Sequence, residues 1–223
     1  MSRPHVMSIN LGKGVVRPYA SGPTTGIAKE QLPEDTLVEV RDPGPKRGGL
    51  GSGLVGDEIG DRRHHGGSLQ AVYAYAREDQ QWWEGELGRP IAPGAFGENL
   101  TTVGVDTTHA RIGEVWRLGD VVLSVEVPRI PCATFAGHMA VPQWVKRFSA
   151  EGRTGAYLSV VQPGLVRSGV AIEVERPDHE IDLLLSFRAA MGDREAARQV
   201  LDAGVLHPDE HAWLADKVAR RAR

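Results

Sequence analysis

Alternation between apolar and polar positions dominates roughly the first four fifths of the chain. Residues 121–127, VVLSVEV, put Val121, Leu123, Val125 and Val127 on one side and Ser124 and Glu126 on the other. That period of two is the signature of a half-buried strand. Shorter runs predict further strands at HVMSIN, at TLVEVRD (36–42) before Pro43, at AVYAYA (71–76), and at AYLSVVQPG and GVAIEVERP around a Pro163-Gly164 turn. Many short strands with tight turns suggest an antiparallel barrel or curled sheet. REDQQWWEGELG reads instead as a helix ending at Gly88, with Trp82, Trp83 and Leu87 available for packing. From Ile181 the spacing turns helical. Leu184, Leu185 and Phe187 precede a stop at Gly192, a second helix runs from Asp193 to Gly204, and Pro208-Asp209-Glu210 opens a third. The expected fold is mainly β (α+β), with a β-barrel and peripheral helices over residues 1–177 and a three-helix segment over 178–223.

Residues 44–60, GPKRGGLGSGLVGDEIG, follow neither period and read as a surface loop. Gly51 to Gly56 matches GxGxxG in form. A dinucleotide site needs a strand before that motif and a helix after it, however, and residues 57–61 lack helical spacing. Composition narrows the picture further. With 26 basic against 29 acidic residues, the chain carries no electrostatic footprint for nucleic acid or an anionic membrane. A single cysteine in 223 residues forms no internal disulfide. There is no long apolar stretch, and MSRPHVMSIN has no apolar signal core. The expectation is a cytoplasmic protein acting on small molecules.

Three stretches carry candidate chemistry. In PRIPCATFAGH (128–138), Cys132 lies where the chain leaves the sheet, three residues after Arg129. A nearby cation favours the thiolate, which is both a nucleophile and a soft metal ligand. The bland alternative is a small buried hydrophobe. In DRRHHGGSLQ (61–70), His64 and His65 are adjacent and diverge, so they do not chelate as HxxxH on a helix would. The glycines that follow let backbone N–H groups approach an anion or a flat ring, and Arg62 and Arg63 suit phosphate. In GAFGENLTTVGVD (94–106), Asn99 both donates and accepts hydrogen bonds. For both of these stretches the alternative is a simple turn.

Read in order, TTGIAKE, HHGGSLQAVYAYAREDQQWW, GAFGENLTT, IGEVWRLGDVVLSVEVPRIPCATF and GAYLSVVQPGLVRSGVAIEV resemble the MOSC domain family, in its stand-alone bacterial, YiiM-like branch. The family takes its name from the C-terminal domain of molybdenum cofactor sulfurase. The resemblance implies a β-barrel-like domain that binds the molybdenum cofactor, molybdopterin with its metal. The family's metal-ligating, catalytic cysteine falls on Cys132. Cofactor-cradling roles fall to Thr25 and Lys29, to His65, Gly66 and Gly67, to Gly97, Glu98 and Asn99, and to Arg129. The implied activity is reduction of an N-hydroxylated small molecule. With one cysteine and no nucleotide fingerprint here, electrons are expected from a separate reductase carrying flavin or iron–sulfur. Two rival readings stand beside it: a cofactor-binding or sulfur-handling module without turnover, and a cysteine hydrolase pairing Cys132 with His138 or His65.

Overall fold

The computed structural model describes residues 3–221. The strands are β1 (His5–Gly12), β2 (Lys29–Gln31), β3 (Val38–Val40), β4 (Val72–Ala76), β5 (Leu100–Val103), β6 (Val115–Leu118), β7 (Val121–Pro128), β8 (Ala156–Gln162), β9 (Gly164–Val166) and β10 (Glu173–Glu175). Eight of them form one sheet in the order β10-β6-β7-β8-β4-β5-β1-β2, and β3 pairs with β9 separately. Every pairing is antiparallel except β4 with β5. The fold is mainly β with helices, as expected, but the ladder does not close into a complete barrel. Its curl brings β1 back to the residues preceding β10, where Val6 N donates to Val170 O at 2.9 Å and Gly169 N to Val6 O at 2.7 Å.

Strand β4 shows why the sheet sits where it does. All five of its residues are buried, because both faces are covered. Val72 and Ala74 enter a core with Ile9, Leu100, Trp116, Leu123, Val125 and Leu158. Tyr73 and Tyr75 point the opposite way, into an aromatic cluster with Trp83, Phe96, Phe135, Trp144 and Phe148. A period of two thus feeds two cores from one strand.

The predicted helix after β4 is α1 (Arg77–Leu87), stopped by Gly88 in the left-handed region. Trp83 is fully buried, and Trp82 packs half-buried at the cluster's edge with Arg153 4.7 Å over its ring. Two helices were not legible as such: α2 (Ala133–Met139) and α3 (Trp144–Glu151). Both are short, and neither has a side-chain N-cap bond to announce it. Their apolar residues close the aromatic cluster from outside. No helix follows Gly56, so the GxGxxG match is loop.

In the tail, α4 (Leu183–Met191), α5 (Arg194–Ala203) and α6 (Pro208–Arg221) lie where the spacing places them. Asp182 and Asp193 cap the first two, accepting from Leu185 N at 2.7 Å and from Glu195 N and Ala196 N at 3.1 Å. Ala189, Ala196, Ala197, Val200 and Leu214 make a small core of their own.

Phe148 is fully buried against Trp83, Phe96, Phe135 and Trp144. Phe148→Ala is expected to cost ~3–5 kcal/mol of unfolding free energy, the usual range for emptying an aromatic site. Chemical denaturation of both proteins measures it, and a loss below ~1 kcal/mol would show that the cluster collapses into the space.

Candidate functional site

Strand β7 ends at Pro128, and the next four residues turn away from the sheet to start α2. Arg129 is the first to leave, and its guanidinium is buried rather than solvated, at 5 % exposure. Its Nη1 donates to the Phe96 carbonyl, and its Cζ lies 3.9 Å from the centroid of Phe135 and 5.0 Å from that of Tyr73. Among the described residues no carboxylate pairs with it. Aromatic faces and a carbonyl offset part of the desolvation cost, without neutralising the charge. Cys132 follows, half-buried, in extended conformation as the N-cap of α2.

Arg129 and Cys132 share a narrow, open cleft, with about 710 Å³ of free space when the solvent at its mouth is counted. Four further stretches wall it. The 21–29 loop contributes Thr25 and Lys29, the 57–66 loop contributes His65 and Gly66, the 97–99 turn contributes Gly97 and Asn99, and β8 contributes Tyr157. These stretches meet only because glycines allow close approach. A Cβ on Gly26 would lie 1.8 Å from Glu58 O, and Gly97, at φ +76°, sits against Ile27 and Arg129 Nη1.

Eight of the ten candidate residues from the sequence line this cleft; Gly67 and Glu98 do not. Gly67 instead donates its N–H to Gly51 O at 3.0 Å and starts the tight turn Ser68–Gln70. Glu98 is fully buried and accepts from Gln80 Nε2 (2.6 Å), Gly94 N (2.6 Å), Thr101 Oγ1 (2.9 Å) and Phe96 N (3.0 Å). Burial pushes its carboxyl up, against the pull of those donors. Its work in this geometry is to shape the 94–98 turn, not to face a ligand.

Lys29 and Asn99 line the cleft but are already engaged. Lys29 Nζ pairs with Asp57 in a buried ion pair. Asp57 also accepts from Gly12 N at 2.7 Å and Asn99 Nδ2 at 2.9 Å, while Asn99 Oδ1 accepts from Tyr73 N at 3.1 Å. Lys29 therefore brings little free charge to an incoming anion. That leaves Arg129 as the unmatched cation. Thr25 Oγ1 accepts from Ile27 N at 3.2 Å within its own loop. His65 is held neutral: burial, and then the charge of Arg129, push its imidazole down to about 4.

Sequence reasoning passed over Tyr157, Gln70 and Asp57. Tyr157 faces Val127 across the β7–β8 ladder, so its phenol reaches the β7 exit beside Cys132. Burial raises its pKa and keeps it a proton donor, and no hydrogen bond engages the hydroxyl among the described residues. The alternation in AYLSVV was the one signal that could have put it there. Gln70 Oε1 is buried without a partner. The hydrolase arrangement is not assembled. His138 bonds Ala95 O at 3.0 Å and Tyr19 Oη at 3.4 Å, and among the described residues neither His138 nor His65 bonds the Cys132 sulfur.

Comparison with known proteins gives a consistent picture. Residues 61–173 match the MOSC domain family. The uncharacterized protein YflK of Bacillus subtilis is 34% identical, over 98% of this chain and 95% of that one. Protein YiiM of Escherichia coli is 28% identical over 74% of this chain and 70% of its own. A protein of Gibberella moniliformis named "Reductase" is 35% identical over 56% of this chain, which amounts to 23% of its length. The crystal structure of YiiM from Geobacillus stearothermophilus superposes with a TM-score of 0.73 at 24% identity, covering 96% of this chain and 99% of that one.

An unfolded His65 regains an ordinary value near 6.5, so between about pH 6.5 and 4 the unfolded chain takes up a proton that the folded chain refuses. Stability is expected to fall as pH drops through that window. His65→Gln should flatten this part of the curve, as read from denaturation midpoints at several pH values. Equal slopes for the two proteins would mean that His65 is solvated in the folded state.

Proposed function

The chain belongs to the MOSC domain family, with YiiM-like relatives, and on that premise we propose that it holds the molybdenum cofactor in the Cys132 cleft and reduces N-hydroxylated small molecules with electrons from a separate reductase. The observation that carries this reading is the buried, uncompensated guanidinium of Arg129 beside a lone soft thiol. A protein keeps such a charge at a cost to its stability, and an anionic ligand explains the cost.

The residues present fit that cofactor. Among the described residues no three His, Cys, Asp or Glu side chains cluster as a metal site, and Cys132 would be the soft protein ligand to a metal carried by the cofactor. Arg129 lines the cleft with no carboxylate partner among the described residues, so it could meet an anionic group, and the glycines at 26, 66 and 97 let the loops that wall the cleft pack closely against their neighbours. When bound, the cofactor supplies the two-electron chemistry that no side chain here can.

The rest falls to the protein. Reducing R–NHOH to R–NH₂ consumes two electrons and two protons and releases one water. Tyr157, kept protonated by burial and free of internal bonds, is the donor best placed to hold one of those protons at the sulfur's side of the cleft. His65, neutral near pH 7, can accept or donate one hydrogen bond without adding charge. The electrons come from a partner with flavin or iron–sulfur, since one cysteine supports no cluster. The fungal relative named a reductase, in which the matched region is part of a much longer chain, supports an oxidoreductase setting.

Protein made in a host that produces molybdenum cofactor is expected to contain molybdenum and pterin at about one equivalent each, and protein from a pterin-deficient host neither. Cys132→Ser should fold normally, lose one sulfur scatterer from the molybdenum absorption spectrum and lose turnover of benzhydroxylamine-type substrates. Loaded wild-type protein that turns over no N-hydroxylated compound would instead support the module without turnover.

Arg129→Met keeps side-chain volume and removes the buried charge. The cofactor-free variant should be as stable as wild type or more so, while cofactor affinity falls ~ten- to a hundredfold, the usual loss for a charge-assisted bond. Thermal melts and pterin release test the pair of outcomes. A large melting loss with unchanged pterin content would make Arg129 a structural residue.

A further inference from the structure

A groove between the β7 exit and helices α4 and α6 opens from the same cysteine. It shares Ser21, Asp61, His65, Gln70, Cys132 and Tyr157 with the cleft, so the two meet at the thiol. On its loop side the groove is lined by Lys46 and Arg63, and these two share an adjoining surface concavity with Arg47, Gly48 and Arg62.

The four cations of that concavity come from two stretches, KRGG (46–49) and RRHHGG (62–67), each with two basic residues ahead of a glycine pair. Backbone bonds fold the first stretch on itself, Leu50 N donating to Pro43 O at 2.7 Å and Gly49 N to Pro45 O at 3.1 Å. Glycines then let the two stretches touch. A Cβ on Gly67, at φ +82°, would lie 2.8 Å from the Lys46 backbone, and one on Gly51 would lie 3.3 Å from Arg62 Nε. The fold therefore assembles this cluster from separate stretches, unlike a solvated run of like charges.

Its charge is left open. Arg47, Arg62 and Arg63 are exposed and Lys46 is half-buried. Lys46 Nζ donates to the His64 carbonyl at 3.4 Å and Arg62 Nη1 to that of Gly49 at 3.3 Å, and among the described residues none of the four side chains forms an ion pair with a carboxylate. The acids nearby are engaged or stand off. Asp61 holds the His64 ring and the N–H of Arg63, Asp42 holds the N–H of Gly44, and half-buried Glu210 feels the charge of Lys46 without pairing with it. In a chain with 29 acidic and 26 basic residues, this is a local field opposite in sign to the whole. Leu50, in the same loop, is 53% exposed. An exposed apolar side chain beside unpaired cations suits a protein surface better than it suits a small anion.

We propose that the face formed by Lys46, Arg47, Arg62 and Arg63 is the docking surface for an acidic protein electron carrier, a small flavin or iron–sulfur protein, which delivers electrons beside the groove that leads to Cys132. The partner's redox role rests on the reductase reading, whereas the sign of its charge follows from the face itself. Each encounter oxidises the carrier by one electron. Two encounters supply the two electrons that R–NHOH takes up with two protons to give R–NH₂ and water, so the carrier must dock, leave and be replaced within one turnover. Exposed charges suit that traffic, because they speed encounter more than they prolong residence. Electron-transfer encounters also bury little surface, and two short loops are enough for one.

The test pairs binding with turnover on the full-length protein. A flavodoxin and a plant-type [2Fe–2S] ferredoxin, both acidic, serve as carriers, and basic cytochrome c controls for the sign of the charge. In calorimetry at low salt at least one carrier should bind and cytochrome c should not. That binding should weaken ~tenfold or more between about 0.01 and 0.15 M salt, as the screening length drops from ~30 to ~8 Å. Arg47→Glu, Arg62→Glu, at two positions that line neither the cleft nor the groove, should weaken it ~tenfold or more at low salt. In cofactor-loaded protein the same variant should lose carrier-fed turnover yet keep turnover fed by reduced methyl viologen, a small donor that needs no dock. If the bond from Arg62 to Gly49 makes the double variant melt early, Arg47→Glu alone repeats the comparison. Binding by neither carrier would overturn the proposal, as would carrier binding indifferent to salt and charge reversal, or equal binding of cytochrome c. An equal loss of viologen-fed turnover, or loss of pterin from the variant, would place the cations in the cofactor site and overturn it too. So would a single-stranded oligonucleotide that binds this face more tightly than either carrier. Charge-dependent carrier binding with no turnover from either donor would instead count against the reductase reading and leave the docking surface standing.

Discussion

A guanidinium buried without a carboxylate sets the terms for the rest of this site. Taking an arginine out of water costs several kcal/mol even after relaxation, and Arg129 recovers part of that through the Phe96 carbonyl and its contacts with Phe135 and Tyr73. The three partners come from separate parts of the chain. Phe96 lies in the 94–98 turn, Phe135 on α2, and Tyr73 on the most buried strand. Each must be fixed for the cation to stay where it is. The aromatic cluster is what fixes them: Phe135 packs edge-on against Trp144 and Phe148, and Phe96 stacks on Tyr75. Helices α2 and α3 are needed mainly because they bring those rings.

The acids near the cleft are consumed by the scaffold. Asp57 takes Lys29, the N–H of Gly12 and the amide of Asn99. Glu58 accepts from Gly14 N at 2.8 Å, and Asp61 from Arg63 N at 3.0 Å and the His64 ring at 2.9 Å. Each of these carboxylates ties one loop to itself or to another. A loop without secondary structure needs such ties if it is to hold a ligand in a fixed place. Arg129 remains the cation that lines the cleft with Cys132 and has no carboxylate partner among the described residues.

The fold was legible where a period survives in the side chains. VVLSVEV and AVYAYA declared their strands through alternation, Gly88, Gly192 and Gly204 declared helix ends, and Asp182 and Asp193 behave as caps. The helices α2 and α3 were missed because seven or eight residues give at most two turns, too few for a pattern to repeat. At the site, residue type was legible but its direction was not. Glu98 and Gly67 sit in motifs beside true lining residues and face inward, toward the backbone they organise. Lys29 was expected to cradle the cofactor, and its pairing with Asp57 was not legible because that partner lies 28 residues away in a loop with no period. Tyr157 needed the β7–β8 register, which a single strand's sequence does not contain.

Two layers of the molecule meet at Cys132 and are built differently. The cleft is backed by the sheet and the aromatic cluster, and no residue of α4, α5 or α6 lines it. The groove has Ser186 and Ala190 of α4 and Glu210, Trp213 and Leu214 of α6 as one wall, on a helical layer with its own small core. A substitution on the exposed face of α6 therefore changes what the groove admits without disturbing the rings that hold Arg129. Changes in the cluster act the other way, on the cation and the thiol first. Sites more than about 7–10 Å apart with no shared partners vary nearly independently, and the junction residues Ser21, Asp61, His65, Gln70, Cys132 and Tyr157 are where that independence ends. Coupling between ligand held and ligand admitted runs through those shared residues.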